Sequence, residues 1–296
     1  MARFPIVAIG LVAVRAASAQ PGPLSPEDLT AIRSVVGSAT PQWSPDGARI
    51  MFASPLGGSD LWTVSATGGF PVPLNVDMGD IPFLQPHLPT FSPDGKWLAY
   101  ISSKRGEGAS EIYVTSLEDG RSVQLTHLGS HVNSYSWSPD SRSIAVADDR
   151  SGGYDIYVVG VPGAALTRIT SDPRYEVFPS WTPDGKHLVY VRLDDRWQDH
   201  DVLITDASGG VSRTVVKDTN FFDYGAGATF GYPQISPDGS TMLFRSQRSG
   251  WINYWVVPLA GGTPRAMAAE AANQNGAHWS PDGKSILYVS LWNGTQ

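Results

Sequence analysis

Five side chains crowd one stretch of this chain. In "RLDDRWQDHD", Asp194, Asp195, Asp199, His200 and Asp201 place four carboxylates and an imidazole within eight residues. Oxygen ligands this close together could hold a divalent cation such as calcium or attract the amino terminus of a peptide. The competing reading is a hairpin loop whose charges face water, and the spacing matches no defined calcium loop. A second group lies in "KDTNFFDYGAGATFGYPQ", where Phe221, Phe222, Tyr224, Phe230 and Tyr232 are numerous for a loop. Long loops are where a scaffold often meets its ligand, so these aromatics are candidates for contact with a substrate or an adjoining domain, or for packing between units. The segment "VDMGDIPFLQPHLP" is a weaker candidate of the same kind. His127 and His131 have a spacing that would matter on one helix, but "THLGSHVNSYSW" is rich in turn formers, so no metal site is expected there.

Covalent chemistry has no visible foothold. The elbow G-x-S-x-G of serine hydrolases is absent, since Gly120-Arg121-Ser122 and Gly283-Lys284-Ser285 lack the closing glycine. The chain has no cysteine, which excludes disulfides, thiolate metal sites and cysteine nucleophiles. No catalytic residue, metal or cofactor is assigned from the sequence.

The elements that must position these groups repeat. "WSPDG" at Trp43, "FSPDG" at Phe91, "WSPDS" at Trp137, "WTPDG" at Trp181, "ISPDG" at Ile235 and "WSPDG" at Trp279 recur at steps of 44 to 54 residues, the longest step holding the aromatic insertion. Proline presets the first central position of a turn, aspartate suits the second, and glycine accepts the left-handed conformation that follows. Ser141 stands where that glycine belongs in the third copy, at a cost on the order of 1 kcal/mol. After each corner comes a run such as "KWLAYI" or "KHLVYV" that reads as an alternating, half-buried strand. A polar glycine-bearing loop, a third strand such as "DIYVV", a second turn such as "ASGG" and a fourth short run complete the unit. Four antiparallel strands per unit of about 45 residues predict an all-β propeller, with five complete blades and a partial sixth. The repeated Trp and Tyr residues on its strands are expected to be inter-blade core.

The N-terminus reads as a secretory signal over residues 1–19, with Arg3, an apolar run from Phe4 to Val14 and the small-x-small site Ala17-Ser18-Ala19. Residues 20–36 follow as a segment with a short helix from Pro26 to about Ser34, capped by Ser25. The propeller takes residues 37–296. The expected protein is exported, periplasmic or extracellular, with no membrane span once the signal is removed. A net charge of −7 argues against a nucleic-acid partner, for which a basic face would be expected. The sixth unit stops after "SILYVS" and "LWNGTQ", and the expectation is that the reading frame is truncated there; the alternative is that the segment from Val35 to Trp43 closes the ring by supplying a missing strand.

With its "SPDG" corners, "YV" strands and "GG" turns, the chain resembles the WD-like propeller repeats of two exported groups. One is the TolB-like periplasmic propellers, and the other is the N-terminal propeller of the prolyl oligopeptidase family, including dipeptidyl peptidase IV-like and acylaminoacyl peptidases. The resemblance covers roughly residues 35 to 296. The capped helix leading straight into the first blade tilts the choice towards the peptidases. That resemblance implies a non-catalytic propeller gating peptide access to a C-terminal α/β-hydrolase domain, which would lie outside this sequence. Its partners are then a peptide substrate or that domain. The TolB-like alternative implies envelope proteins as partners and no catalysis. Peptidases that grip a free amino terminus use adjacent glutamates, and no Glu-Glu pair occurs here, so dipeptidyl specificity does not carry over.

Overall fold

Each corner folds for a reason visible in its own four residues. In the computed structural model, the Ser or Thr hydroxyl of the corner donates to the Asp two residues on, at 2.5–2.6 Å, in all six copies. The same Asp oxygen accepts the backbone N–H two residues later, for example Arg142 N at 3.1 Å, and the Ser oxygen accepts the N–H five residues later, for example Ser143 N at 2.9 Å. Glycine at the end of the turn adopts φ near +70° in five corners, and Ser141 adopts φ 62° in the sixth, as the motif predicts.

The structure describes residues 42–53, 61–69, 72–74, 76, 89–103, 109–127, 129–163, 165–195, 200–218, 233–268 and 273–291. The expected signal segment and the helix from 26 to 34 lie outside these residues. Blade 1 comprises β1 (Gln42–Trp43), β2 (Arg49–Ala53), β3 (Leu61–Ser65) and β4 (Val72–Leu74). Blade 2 comprises β5 (Thr90–Phe91), β6 (Trp97–Ser102), β7 (Glu111–Ser116) and β8 (Ser122–Gln124). Blade 3 follows with β9 (Val132–Trp137), β10 (Ser143–Asp148), β11 (Asp155–Gly160) and β12 (Thr167–Arg168). In blade 4 the strands are β13 (Tyr175–Trp181), β14 (His187–Leu193), β15 (His200–Asp206) and β16 (Arg213–Asp218). Blade 5 contains β17 (Gln234–Ile235), β18 (Thr241–Ser246), β19 (Asn253–Pro258) and β20 (Arg265–Ala266), and the sixth unit contributes β21 (Asn273–Trp279) and β22 (Ile286–Leu291). Every sheet is antiparallel in simple sequence order, giving five four-stranded blades and one two-stranded sheet among the described residues.

One expectation needs correction. The sequence pattern predicts that the strand after each corner alternates between buried and exposed positions, yet β6, β10 and β18 are buried at every residue after the first, and β14 at nearly every one. The reason is that a blade is covered on both faces by its neighbours, so its central strands are core strands. The sixth unit shows the contrast: Leu287 on β22 is 61% exposed. The core is accordingly a series of clusters between blades, in which Tyr100 and Tyr190 are completely buried. Tyr100, Tyr113, Tyr135 and Tyr190 belong to this core, as expected of strand tyrosines.

Adjacent blades are also tied by polar contacts. Trp137 Nε1 donates to Thr90 O and Trp181 Nε1 to Ser136 O, both at 3.3 Å, so each tryptophan seats on the first strand of the preceding blade. Trp43, at the same position of blade 1, has no described blade before it and is 62% exposed. The first strands β9 and β13 pack against each other, as do β13 and β17, so first strands gather along one edge of the stack. The fourth strands form the opposite rim, where Val72, Thr167 and Arg168 are exposed.

Candidate functional site

Opposite the corners, the second strand of each blade hands over to the third and the fourth strand hands over to the next blade. Polar side chains concentrate at this end of blades 3 and 4. Antiparallel register places Glu176 opposite Arg192, Arg192 opposite Asp201, and Asp201 opposite Lys217, so one row of alternating charge crosses blade 4. Directly paired residues share a face of the sheet, which brings these side chains together. Arg192 donates from Nη1 to Asp172 and from Nη2 to Asp201, each at 2.9 Å. Arg174 grips Asp172 with two parallel bonds of 3.0 and 3.1 Å and reaches within 3.9 Å of Asp201. Two arginines and two carboxylates thus close a ring. The hydrogen bond from Arg174 holds the Asp172 carboxyl below the usual carboxylate range, and the same contact raises Arg174.

Glu176 sits beneath this ring with only 2% of its surface exposed. Its carboxyl accepts the Asp172 N–H at 3.3 Å, and that contact together with the neighbouring Thr170 and Tyr190 side chains favours the ionised form against burial; the Tyr190 hydroxyl itself donates to Ser212 Oγ at 2.7 Å. Burial pushes Glu176 up to about 7, and the negative Asp155 nearby adds to the rise. Blade 3 contributes the adjoining wall. Asp155 takes Arg168 Nη2 at 2.8 Å and the Ser151 hydroxyl. Asp148, fully buried, accepts Ser130 Oγ at 2.6 Å and lies 3.6 Å from Arg150 Nε; burial raises its carboxyl despite these partners. Arg150 in turn lies over the Tyr157 ring at 5.6 Å.

Of the residues singled out from the sequence, Asp201 belongs to the arginine ring. His200 is buried as the first residue of β15, Asp194 is half-buried and Asp195 exposed just after β14. Asp199 lies outside the described residues, as do Phe221, Phe222, Tyr224, Phe230 and Tyr232 and most of "VDMGDIPFLQPHLP". Among the described residues, no group of three or more His, Asp and Glu side chains could hold a metal ion. His131 faces Asp149 at 3.2 Å, while His127 is exposed.

Sequence reasoning missed Asp148, Asp155, Arg168, Asp172, Arg174, Glu176 and Arg192. A signal was present, because an acidic or amide residue stands at or beside the start of the third strand of successive units: Glu111, Asp155, Asp201 and Asn253. Glu111 repeats the role in blade 2, accepting Thr126 Oγ1 at 2.6 Å and Gly129 N at 2.9 Å. What periodicity could not reveal is that the linker after β12 carries Asp172 and Arg174 back onto the same end.

Chemically, this end offers buried carboxylates, a group that exchanges a proton near neutrality, and arginines already engaged. Such an arrangement suits noncovalent recognition of a polar chain.

The stacked four-stranded antiparallel units define the class: this is a β-propeller. Residues 84–226 match PD40, described as the TolB beta propeller domain, so this stretch of the chain is similar to the TolB-like propellers. The chain is 29% identical over 229 residues to the Tol-Pal system protein TolB of Francisella tularensis subsp. mediasiatica, covering 75% of this chain and 49% of that protein. It is 28% identical over 232 residues to the uncharacterized peptidase YuxL of Bacillus subtilis, covering 61% of this chain and 33% of the peptidase. The chain therefore spans about half of one relative and a third of the other. Among solved structures, the β-propeller domain of the Trilobed protease from Pyrococcus furiosus superposes with a TM-score of 0.62 at 16% identity, over 86% of this chain and 79% of that one, a likeness of fold. Among the described residues, no helix is long and apolar enough to cross a membrane.

Proposed function

We propose that this propeller is a noncatalytic recognition module of an exported serine peptidase resembling the prolyl oligopeptidase family, gating the access of peptides to a hydrolase domain. The observation that carries the reading is the loop end of blades 3 and 4, where six carboxylates and four arginines converge without a nucleophile being assigned: Asp148, Asp149, Asp155, Asp172, Glu176 and Asp201 with Arg150, Arg168, Arg174 and Arg192. Carboxylates in excess suit an approaching peptide that carries amino groups. Similarity to a peptidase, 28% identity over 232 residues, supports the class of enzyme. The Asp194–Asp201 stretch and the aromatic insertion from Phe221 to Tyr232 remain part of this proposal as contacts to a substrate or an adjoining domain.

The match to a Tol-Pal system protein over three quarters of the chain favours a second reading, a propeller that binds envelope proteins with no chemistry of its own. One experiment separates the two. The native protein is captured from its source with an antibody to the propeller and exposed to a fluorophosphonate probe. Covalent labelling that peptides suppress supports the peptidase reading. An unlabelled protein that co-purifies with an envelope partner at defined stoichiometry overturns it in favour of the second.

A further inference from the structure

Glu176 and Arg192 are cross-strand partners that do not meet. Their register places them opposite each other on one face of blade 4. Even so, the ion pairs of Arg192 among the described residues run elsewhere, with one Nη atom turned to Asp172 and the other to Asp201. Arg192 Nε is buried and has no hydrogen-bond partner among the described residues. A carboxylate with 2% exposure must find a cation or keep its proton, since an isolated buried charge is far costlier than a neutral acid.

The strand is deformed at the same place. Phe178, two residues on, is a buried nonglycine residue with φ 55°. It lies in the bulge where the β13–β14 register shifts between Val177 and Ser180, and its N–H donates to Ser134 Oγ of β9 at 2.9 Å. A bulky residue in this conformation is uncommon and persists only where its surroundings demand it. A bond between blades 3 and 4 therefore runs through the residue of β13 with the least backbone comfort.

We propose that the loop end of β13 is a two-position joint between blades 3 and 4, in which a buried, neutral Glu176 rests on the Asp172 N–H without a cation, and an ionised Glu176 draws Arg192 away from Asp172 and Asp201. The proton leaves to solvent and no covalent bond besides its own changes. The groups around Glu176 set the balance: Tyr190 and Arg192 from β14, Asp201 from β15, Asp155 and Arg168 from blade 3, Asp172 and Arg174 from the linker, with Asp148, Asp149 and Arg150 beyond Tyr154 at the end of β10. Asp155, Asp172 and Asp201 favour the neutral form, and Arg192 rewards the ionised one. Ionisation releases Asp172 and Asp201 at the loop end, and only this last consequence rests on the recognition role proposed above.

The test is a carboxyl-carbon and arginine Nε NMR titration of the whole 296-residue chain from pH 5 to 9. The joint predicts a Glu176 carboxyl midpoint near 7 and an Arg192 Nε shift with the same midpoint. Both transitions vanish in Glu176→Gln, which mimics the neutral side chain. A Glu176 midpoint below pH 5, or an Arg192 Nε resonance that stays constant across the range, overturns the joint from the wild-type data alone. A coupled titration in a protein that binds no peptide or envelope partner keeps the joint and rejects the recognition role.

Discussion

Ser141 Oγ accepts a hydrogen bond from the backbone N–H of Asp94 at 2.9 Å, tying the corner of blade 3 to the corner of blade 2. The other corners nest differently. Pro45, Pro139, Pro183 and Pro237 lie within 3.4–4.0 Å of the place a β-carbon would occupy on Gly95, Gly185, Gly239 and Gly283. The residue that strains its own turn thus compensates by bonding its neighbour.

This predicts opposite outcomes for two substitutions. Ser141→Gly relieves a left-handed backbone and loses one hydrogen bond, each worth roughly 1 kcal/mol, so urea unfolding should move by less than about 0.5 kcal/mol. Ser141→Ala keeps the strain and loses the bond, and should destabilise by about 1–2 kcal/mol. Equal stability of Ser141→Ala and the wild type would show that the Asp94 contact contributes nothing.

Acid should loosen the corners. Hydrogen bonds from the corner hydroxyls hold Asp46, Asp140, Asp184, Asp238 and Asp282 below the usual carboxylate range. A depressed carboxylate stabilises the fold above its unfolded value, and that contribution disappears as pH falls below about 4. Ser138→Ala removes the donor to Asp140 and should cost about 1–2 kcal/mol at pH 7, with a smaller penalty at pH 3, as read by thermal unfolding at the two pH values.

Glu176 works in the other direction. Its folded value of about 7 exceeds the ordinary 4.5, so the folded state holds the proton more tightly and stability declines as pH rises from about 4.5 through 7. The loss totals about 3 kcal/mol above neutrality, because each tenfold gain in proton affinity on folding is worth about 1.4 kcal/mol. Glu176→Gln should therefore be more stable than the wild type at pH 8 and converge with it towards pH 5. Parallel stability curves would contradict this assignment.

The tryptophan seats give a position-specific contrast. Trp181→Phe keeps most of the packing but loses the bond to Ser136 O, and should lower stability by about 0.5–1.5 kcal/mol. Trp43→Phe, at the same place in blade 1 but exposed, should change it by less than about 0.5 kcal/mol. A calorimetric comparison decides whether the seat or the residue type matters.

What was legible in the sequence was local. Pro and Gly at fixed offsets declare each corner, and their sixfold recurrence declares the blade, because a turn depends on the dihedral preferences of its own few residues. Ser141 could be recognised as strained from the motif alone for that reason. The double burial of β6 and β10 could not, since it depends on what lies across the blade faces. The charged end was harder still. Asp172, Glu176, Arg192 and Asp155 come from a linker, two adjacent strands and a neighbouring blade, and only register and blade stacking make them neighbours. By itself, the sequence determined the unit, its turns and the count of its corners. Tertiary structure alone decided which charges meet, because burial and electrostatic partnership are set by distance in space and not by separation along the chain.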